Sequence, residues 1–483
     1  MVREPAVYHK PEKLTPYFLK SENRDVGEFS LRRWAQRARL NKQGPATGPE
    51  NSKMNLRHIF AAVGIAGFMV AATANAAVHR VFPTNSSASD IQAAIDKAKP
   101  GDTILVDPGT YRFTPKDATP WQYGLRIKTH NLRLIAKGGP GQVRLVFAPN
   151  DQADYSGVVG AGVYAAPDGC DVDDGERSDT SDEELAEAQA CKDATIKDFY
   201  IRGFVVEGFP RNGIQTRWVE GFEFIQNESK NNLNNGIYPT LSANGLVQNN
   251  VSYGSLDTAM WVAGSENVRV IGNEVYDSVI GFEITVSNNV WFTQNKVHNN
   301  TLGIGLFHPD GAGNPSKPVM ANWVIEHNDV RDNNAPNKAD PGTFQGKVPP
   351  GIGILLLGSS DHVIAKNVVE NNQYVGIGVL GWCSANSGDL AQLVRLCPNV
   401  IGQPPREDPS VARNLVSLNK LSGNATLPPQ DWPLPLPAVD ILFVQTASFG
   451  ETGTGNCFEK NKPAGFTYYS TEGVLPTDGC KNP

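Results

Sequence analysis

The stretch VRVIGNEVYDSVIGFEITVSNNVWFTQNKVHNNTLGIG (Val268–Gly305) contains one pattern twice: a short apolar run, an Asn turn, and a small residue that opens a second apolar run. Outward from this stretch, the residue that opens the second run recurs at steps of 23, 23, 22 and 22 residues. These positions are Gly213, Gly236, Ala259, Gly281 and Gly303, and after an interruption Gly351 and Gly376. A repeat of this length, built from short β-segments and turns, is typical of a solenoid.

An Asn follows a short strand in each repeat and runs in phase with the Gly marker. These residues are Asn227, Asn249, Asn273, Asn295, Asn328, Asn367 and Asn419. Leucine-rich repeats have a similar period, but their Leu-x-x-Leu-x-Leu pattern is absent. We therefore predict an all-β fold, a single-stranded right-handed parallel β-helix of about ten coils with Asn stacked at a coil corner. The predicted inward ladder is Ile214, Ile237, Met260, Phe282 and Ile304.

The segment before the first strands predicts a short capping helix, which a solenoid needs at its open end. Ser89 or Asp90 is the expected N-cap. The expected buried face contains Ile91, Ala94, Ile95 and Ala98.

Three short strings here resemble the opening of pectin-lyase-like parallel β-helix proteins: Ile91-Gln-Ala-Ala-Ile95, Lys99-Pro-Gly-Asp-Thr-Ile104 and Pro108-Gly-Thr-Tyr111. The later Gly-Ile and Asn-x-Val repeats resemble exported β-helix repeat proteins, and the resemblance covers about residues 80–480. It implies the fold. It leaves function open, because the superfamily includes lyases, hydrolases, epimerases and non-enzymes, many of them acting on acidic polysaccharides.

The N-terminal region predicts export. Arg57 precedes an apolar run, Ile59 to Ala72, which ends in the cleavage pattern Ala74-Asn75-Ala76. We expect residues 1–53 to be a non-native or unstructured extension, residues 54–76 a signal peptide and residues 77–483 the β-helix domain. The alternative is a membrane anchor over Ile59–Ala77, which is only just long enough. Export predicts a secreted or periplasmic protein with no membrane insertion after cleavage.

The net charge of the exported part limits the classes of partner that the protein is expected to bind. Residues 1–76 contain 12 basic and 6 acidic side chains, so the exported part has 31 basic and 44 acidic ones and a net charge of −13. This disfavours nucleic acid, which needs a basic surface. We expect a monomer that binds a polysaccharide or oligosaccharide.

The six cysteines all lie in the exported part, where disulfides form. Sequence alone leaves 15 connectivities open. Pairing of neighbours closes three short loops, and we predict Cys170–Cys191, Cys383–Cys397 and Cys457–Cys480. No C-x-x-C or Cys/His spacing supports a metal site.

Three insertions interrupt the coils, at residues 167–191, 309–350 and 382–413. Insertions in a solenoid map to loops on one face, often the binding face. The first insertion is acidic, and Asp171 to Glu176 supplies oxygens suited to Ca²⁺ but lacks EF-hand order. We expect a solvated acidic loop there and no cofactor, with Ca²⁺ as the alternative.

Alternation within the Gly-led strands predicts which side chains face outward. Tyr238 and Trp261 are expected on adjacent coils as an open aromatic shelf suited to a sugar ring, with Arg217 and Glu283 beside it. The alternative is that an insertion covers these aromatics.

Several titratable residues follow nearby in the chain and are candidates for acid–base work. Glu283 is joined by His298, His308 and Asp310 within one coil, and Arg331 is expected to bind a carboxylate. Asp257 and Asp277 are 20 residues apart and form a candidate acid–base pair. Surface polar residues on turns are the alternative for each of them.

The motifs of known enzymes of this fold do not occur here in their full form. The Asn-Thr-Asp, Asp-Asp, Gly-His-Gly and Arg-Ile-Lys motifs of polygalacturonases are not found together as a set, and the Trp-Ile-Asp-His segment of pectate lyases and the Asp-Pro-His-Asp string of mannuronan epimerases are absent. Two functions stay open: a polysaccharide lyase, epimerase or glycoside hydrolase, or a non-catalytic exported binding or structural β-helix.

Overall fold

The computed structural model describes residues 76–116, 122–150, 155, 157–170, 182–307, 320–388, 397, 408–429 and 436–481. The predicted extension 1–53 and the predicted signal peptide, except for its last residue, lie outside this part of the chain. No helix in the described ranges is long and apolar enough to cross a membrane.

The chain winds through three parallel sheets, and each complete coil adds one strand to each of them. Sheet 1 contains Leu125–Ile127, Ala161–Ala165, Asn212–Arg217, Ile237–Thr240, Thr258–Ala263, Ile280–Thr285, Leu302–Phe307, Ile352–Leu357, Val375–Leu380, Val439–Val444 and Tyr468–Ser470. Sheet 2 contains Val78–Val81, Thr103–Val106, Leu132–Ala136, Ile196–Arg202, Val219–Ile225, Ala243–Gln248, Glu266–Ile271, Asn288–Thr293, Ala321–Glu326, Val363–Ala365, Leu415–Ser417 and Cys457–Glu459. Sheet 3 contains Gly109–Phe113, Val143–Phe147, Phe204–Glu207, Glu228–Lys230, Val251–Tyr253, Glu274–Tyr276, Lys296–His298, Asp329–Arg331, Val368–Glu370 and Lys420–Ser422. The predicted parallel β-helix is confirmed.

The predicted inward ladder is also confirmed. Ile214 pairs with Ile237, which pairs with Met260, and the register continues through Phe282 to Ile304. None of these side chains is more than 2% exposed. One coil cannot bury its apolar side alone, so the stacked coils share one continuous core.

A buried Asn ladder fixes the corner between Sheets 2 and 3. The side chain of Asn273 donates to the carbonyl of Val247 (2.9 Å) and to Oδ1 of Asn295 (3.0 Å), and its own Oδ1 accepts from Asn250. The ladder residue in that coil is Asn250, whereas Asn249, which the sequence pattern marked, lies in the turn with φ +54°. The ladder is Asn227, Asn250, Asn273, Asn295, Asn328, Asn367, Asn419 and Asn461.

A second buried ladder follows the corner between Sheets 3 and 1. Asn300, Asn333, Asn372 and Asn424 repeat the same amide-to-amide bonds there. The sequence pattern did not separate this ladder from the first.

Among the described residues, α-helices occur at the N-terminal end and in the first and third insertions, and short 3₁₀ helices are Gln345–Lys347, Ala447–Phe449 and Asp478–Lys481. The capping helix is Ala88–Ile95, and its N-cap is Ser87, so the prediction of Ser89 or Asp90 was wrong. Ala98 lies beyond its end. In the acidic insertion, where we expected a loop, Asp182–Asp193 is helical, and the proposed calcium segment Asp171–Glu176 lies outside the described residues. A short helix, Trp382–Ala385, opens the third insertion.

The three predicted disulfides are confirmed: Cys170–Cys191, Cys383–Cys397 and Cys457–Cys480. The first two close loops within the acidic insertion and the third insertion, and Cys457–Cys480 joins the last strand of Sheet 2 to Asp478–Lys481. The disulfides are compatible with an extracellular protein.

Candidate functional site on the outer face of Sheet 1

The outer face of Sheet 1 collects four of the predicted site residues. Tyr238 pairs in register with Gln215 of the preceding coil. Trp261 lies on the coil after Tyr238 and pairs with Glu283 of the coil after that. Arg217 lies two residues after Gln215, in the outward row that continues through Thr240 and Thr285. Parallel pairing therefore places these side chains about one strand spacing, roughly 4.8 Å, apart along the helix axis.

Tyr238 and Trp261 stack as predicted, with ring centroids 4.6 Å apart and planes 14° from parallel. The indole Nε1 of Trp261 donates to Oγ1 of Thr285 (2.8 Å), which fixes the ring. The expectation of an open shelf was wrong for Tyr238, which is 3% exposed, with Trp261 stacked on one face of its ring. Trp261 stays partly exposed, so its ring is the one of the two that solvent reaches.

Two buried carboxylates meet at one hydroxyl. Oγ1 of Thr258 lies 2.6 Å from Oε2 of Glu283 and 3.2 Å from Oδ1 of Asp257. All three residues are less than 9% exposed. A hydroxyl has one proton to donate, so Thr258 serves one carboxylate at a time and holds the two close together.

Arg217 is 7% exposed, and it makes no hydrogen bond or ion pair with any residue that the structure describes; its Nε is fully enclosed. A buried guanidinium without a partner is costly, because it loses its hydration and gains no compensating acceptor. The group therefore suits an anionic or hydroxyl-rich ligand supplied from outside the described part of the chain.

His298 and Arg331 lie on Sheet 3, away from Glu283. His298 stacks on Tyr276 (5.2 Å between centroids), and its Nε2 lies 3.1 Å from Oε1 of Glu274. Nε of Arg331 donates to Oδ1 of Asp329 (2.6 Å), which raises the pKa of the guanidinium. The structure thus does not bring these two residues to Glu283, because they end short strands of another sheet.

Asp277 does not align with Asp257 in the register. Asp277 is in the left-handed conformation (φ +52°) directly after Tyr276, whose pairing with Tyr253 sets it opposite Gly254. It lines a groove of about 400 Å³ beside Tyr253 and Lys338. The structure instead brings Asp257 to Glu283, a pairing that the spacing in the sequence did not suggest.

His308 and Asp310 lie outside the described residues. One cluster with metal-ligand distances occurs among the described residues, formed by Cys457, Glu459 and Cys480. Both cysteines are in a disulfide and offer no thiolate, so this cluster does not fit a metal.

Thr258 is the site residue that the sequence analysis missed. Its signal was its place directly after Asp257, at the start of a Gly/Ala-led strand, where a hydroxyl is unusual among the apolar residues of the later coils. Only the packing of neighbouring coils shows that this hydroxyl also reaches Glu283.

Comparison with known proteins gives the following. Residues 212–389 match the family described as right handed beta helix region. No curated protein sequence matches the chain.

Three similar solved structures illustrate the fold. They are the A-module of the mannuronan C-5 epimerase AlgE6 of Azotobacter vinelandii (TM-score 0.45, 13% identity, 80% of this chain and 93% of that one), the pectate lyase Pel9A (0.38, 13%, 83% and 80%) and the DFA-IIIase of Arthrobacter chlorophenolicus A6 in complex with GF2 (0.46, 13%, 83% and 89%). Identities this low describe architecture alone.

The three parallel sheets, the stacked Asn corners and the match over the central coils agree with one another. The chain folds as a right-handed parallel β-helix, and its residues 212–389 carry the match to that family.

Proposed function

We propose that this protein binds a polysaccharide across the coils on the outer face of Sheet 1 and modifies it with Asp257 and Glu283 as an acid–base pair. The observation that carries the proposal is the single Thr258 hydroxyl that lies within hydrogen-bond distance of both carboxylates, on the same strand as the partly exposed indole of Trp261. Paired carboxylates of this kind serve proton transfer to a glycosidic oxygen or from a sugar carbon.

The residues around the carboxylate pair are proposed to contact different parts of the glycan. Trp261 packs against the C–H face of a sugar ring, as aromatic side chains do in carbohydrate sites. Arg217 lies three coil steps from Glu283 in the register, so it contacts a different unit of the same chain. Its unpartnered guanidinium favours a sugar that carries a carboxylate, which it can bind through two parallel hydrogen bonds.

We further propose that the protein works outside the cytoplasm. The three disulfides support this, because such bonds persist in oxidising compartments. N-terminal sequencing of the protein recovered from its native host tests it: a mature N-terminus near Ala77 supports export, and an intact residue 1 contradicts it.

The activity test uses a panel of polyuronates and neutral glycans, with unsaturated products followed by ultraviolet absorbance and reducing ends followed chemically. We expect one glycan to be modified by the wild type. Glu283→Gln and Asp257→Asn should each lower kcat by about a hundredfold or more and leave KM nearly unchanged, because they remove proton transfer and retain shape. Glu266→Gln, an exposed carboxylate on Sheet 2, is the matched control and should retain full activity.

Two results separate the alternatives. Binding of a glycan without any product, unchanged in Glu283→Gln, would make this a non-catalytic binding protein. Full turnover by both carboxylate variants would place the chemistry elsewhere on the molecule.

A further inference from the structure

The outer face of Sheet 2 carries a stripe of side chains that the site on Sheet 1 does not use. Leu246, Arg269, Trp291 and Val324 pair in register on four successive coils. Trp291 is 44% exposed, which is unusual for an indole in the middle of a strand. Val363 continues the row on the next coil and is also partly exposed.

A row of amides runs beside this stripe, near the N-terminal ends of the same strands. Nδ2 of Asn267 donates to Oδ1 of Asn244 (3.1 Å), and Nδ2 of Asn289 donates to Oδ1 of Asn267 (2.6 Å). Each of these bonds uses one amide proton, so each donor amide keeps a second N–H for a ligand. This exposed ladder is separate from the two buried Asn ladders.

We propose that this stripe is a second carbohydrate-binding surface, which takes a neutral, linear glycan with Trp291 as its stacking platform. A linear glycan has apolar ring faces and hydroxyls along its edges, and the stripe offers an indole and aliphatic groups bordered by amides. Successive coils present these groups at a regular spacing along the helix axis, which suits a polymer with a repeating unit.

The shape and charge of the stripe favour this occupant. A stable protein interface buries about 800 Å² per partner around an apolar core depleted of charge. This stripe is one side chain wide, and Arg269 interrupts it between Leu246 and Trp291. Opposite charges also occur together at this face, with Glu326 two residues beyond Val324, so it lacks the array of basic groups that a polyanion needs.

The proposal goes beyond the site on Sheet 1 and is independent of it. A surface on another sheet holds the protein on a material that contains both a neutral glycan and the substrate of the Sheet 1 site, which raises the local concentration of that substrate. Loss of this surface should therefore reduce retention on the polymer and leave turnover of a short soluble substrate unchanged.

The test measures binding of the full chain to insoluble cellulose, insoluble chitin and soluble mixed-linkage β-glucan, by pull-down and by affinity electrophoresis. We expect the wild type to bind at least one of them, and Trp291→Ala to bind about tenfold more weakly. Trp291→Phe should restore part of the affinity, because it restores an aromatic face. Tyr468→Ala, an exposed aromatic residue at the C-terminal end of Sheet 1, is the matched control and should bind as the wild type does.

Thermal unfolding of every variant accompanies the binding assay, and an exposed side chain such as Trp291 should leave the melting temperature nearly unchanged. Equal binding by Trp291→Ala, or no binding of the wild type to any of the three glycans, would overturn the proposal. So would a dimer in sedimentation velocity that Trp291→Ala dissociates, because the stripe would then join two copies of the chain.

Discussion

The outer face of Sheet 1 has two halves that rest on the same inward ladder and present different chemistry. The first half, from Asn212–Arg217 to Ile280–Thr285, presents the buried carboxylate pair, an unpartnered guanidinium and a partly exposed indole. The second half, from Leu302–Phe307 to Val439–Val444, presents aliphatic side chains and Phe307. The coils are alike inside, so the outward residues alone separate a candidate site from a structural surface.

The second half is covered by its insertions. Phe307, Leu355, Leu380 and Leu442 belong to one buried cluster with Trp382, and Phe344 packs on the rings of Phe307 and Trp382. The Cys383–Cys397 disulfide closes the cover. An insertion over this sheet therefore hides apolar rows, and we propose that the polar rows of the first half bind the ligand.

The largest expected effect is in the covered half. Phe307→Ala removes a side chain that is 2% exposed and packs edge-on against Phe344 (5.4 Å). The free energy of unfolding should fall by about 3–5 kcal/mol, as for other buried Phe to Ala changes. Chemical denaturation measures it. A loss below about 1 kcal/mol would show that the cover contributes little.

A second prediction concerns the scaffold that both halves share. Asn273→Ala and Asn367→Ala remove ladder residues in the coils of the first and second halves. Each leaves a backbone N–H and a backbone carbonyl of neighbouring coils without a partner. Each should cost about 1–3 kcal/mol of the free energy of unfolding and leave glycan binding intact. The two losses should agree, as measured by denaturation. A large loss for one variant only would mean that the two halves do not share one scaffold.

A third prediction isolates the candidate site. Trp261→Ala should cost only about 1 kcal/mol of stability, because the ring is partly exposed and the main loss is its stacking on Tyr238. Glycan affinity should fall sharply, as measured by calorimetry. Stability lost on the scale of Phe307→Ala would make Trp261 a core residue and remove the contrast between the halves.

The smallest expected effect is a pH dependence of stability, and it tests the third insertion, which covers the second half of Sheet 1. Glu451 is buried and accepts hydrogen bonds from the backbone N–H groups of Ser384 and Thr446, which anchors the Trp382–Ala385 helix. Burial raises the pKa of Glu451 despite these bonds, so the folded state holds the proton more tightly than the unfolded chain does. The contribution of Glu451 to the free energy of unfolding is therefore fully present below about pH 4, and it is lost as the pH rises through the raised pKa.

Glu451→Gln removes this titration. Its melting temperature, compared with that of the wild type at each pH, should shift in favour of the variant between acidic and neutral pH. A constant difference across that range would contradict the direction of the pKa shift.

The sequence predicted the fold well because each coil repeats the same local pattern of short apolar strands separated by Asn and Gly turns. The Gly-led strands fixed the inward ladder, and the neighbouring cysteines closed local loops. The site was harder to predict, because its contacts join residues of different coils. The spacing of Asp257 and Asp277 suggested a pair, but the turn between their strands sets Asp277 opposite Gly254, whereas Asp257 meets Thr258 and Glu283.

The placement of His298 shows a second limit. Counted along the chain it follows Glu283 closely, but fifteen residues of a coil are enough to pass from Sheet 1 through Sheet 2 to Sheet 3. In a solenoid, the number of residues between two positions determines whether they lie on the same sheet. Two residues that are close in sequence can therefore lie on different faces.

We propose that the first, polar half of Sheet 1 is the part of this face that binds the ligand. Hydroxyl-radical footprinting of the full chain, with and without a polyuronate oligosaccharide, can locate the bound ligand. The ligand should lower the oxidation rate of Trp261 several-fold and leave that of Trp382, in the covered half, unchanged. An unchanged rate at Trp261 in the presence of bound oligosaccharide would show that the ligand binds elsewhere.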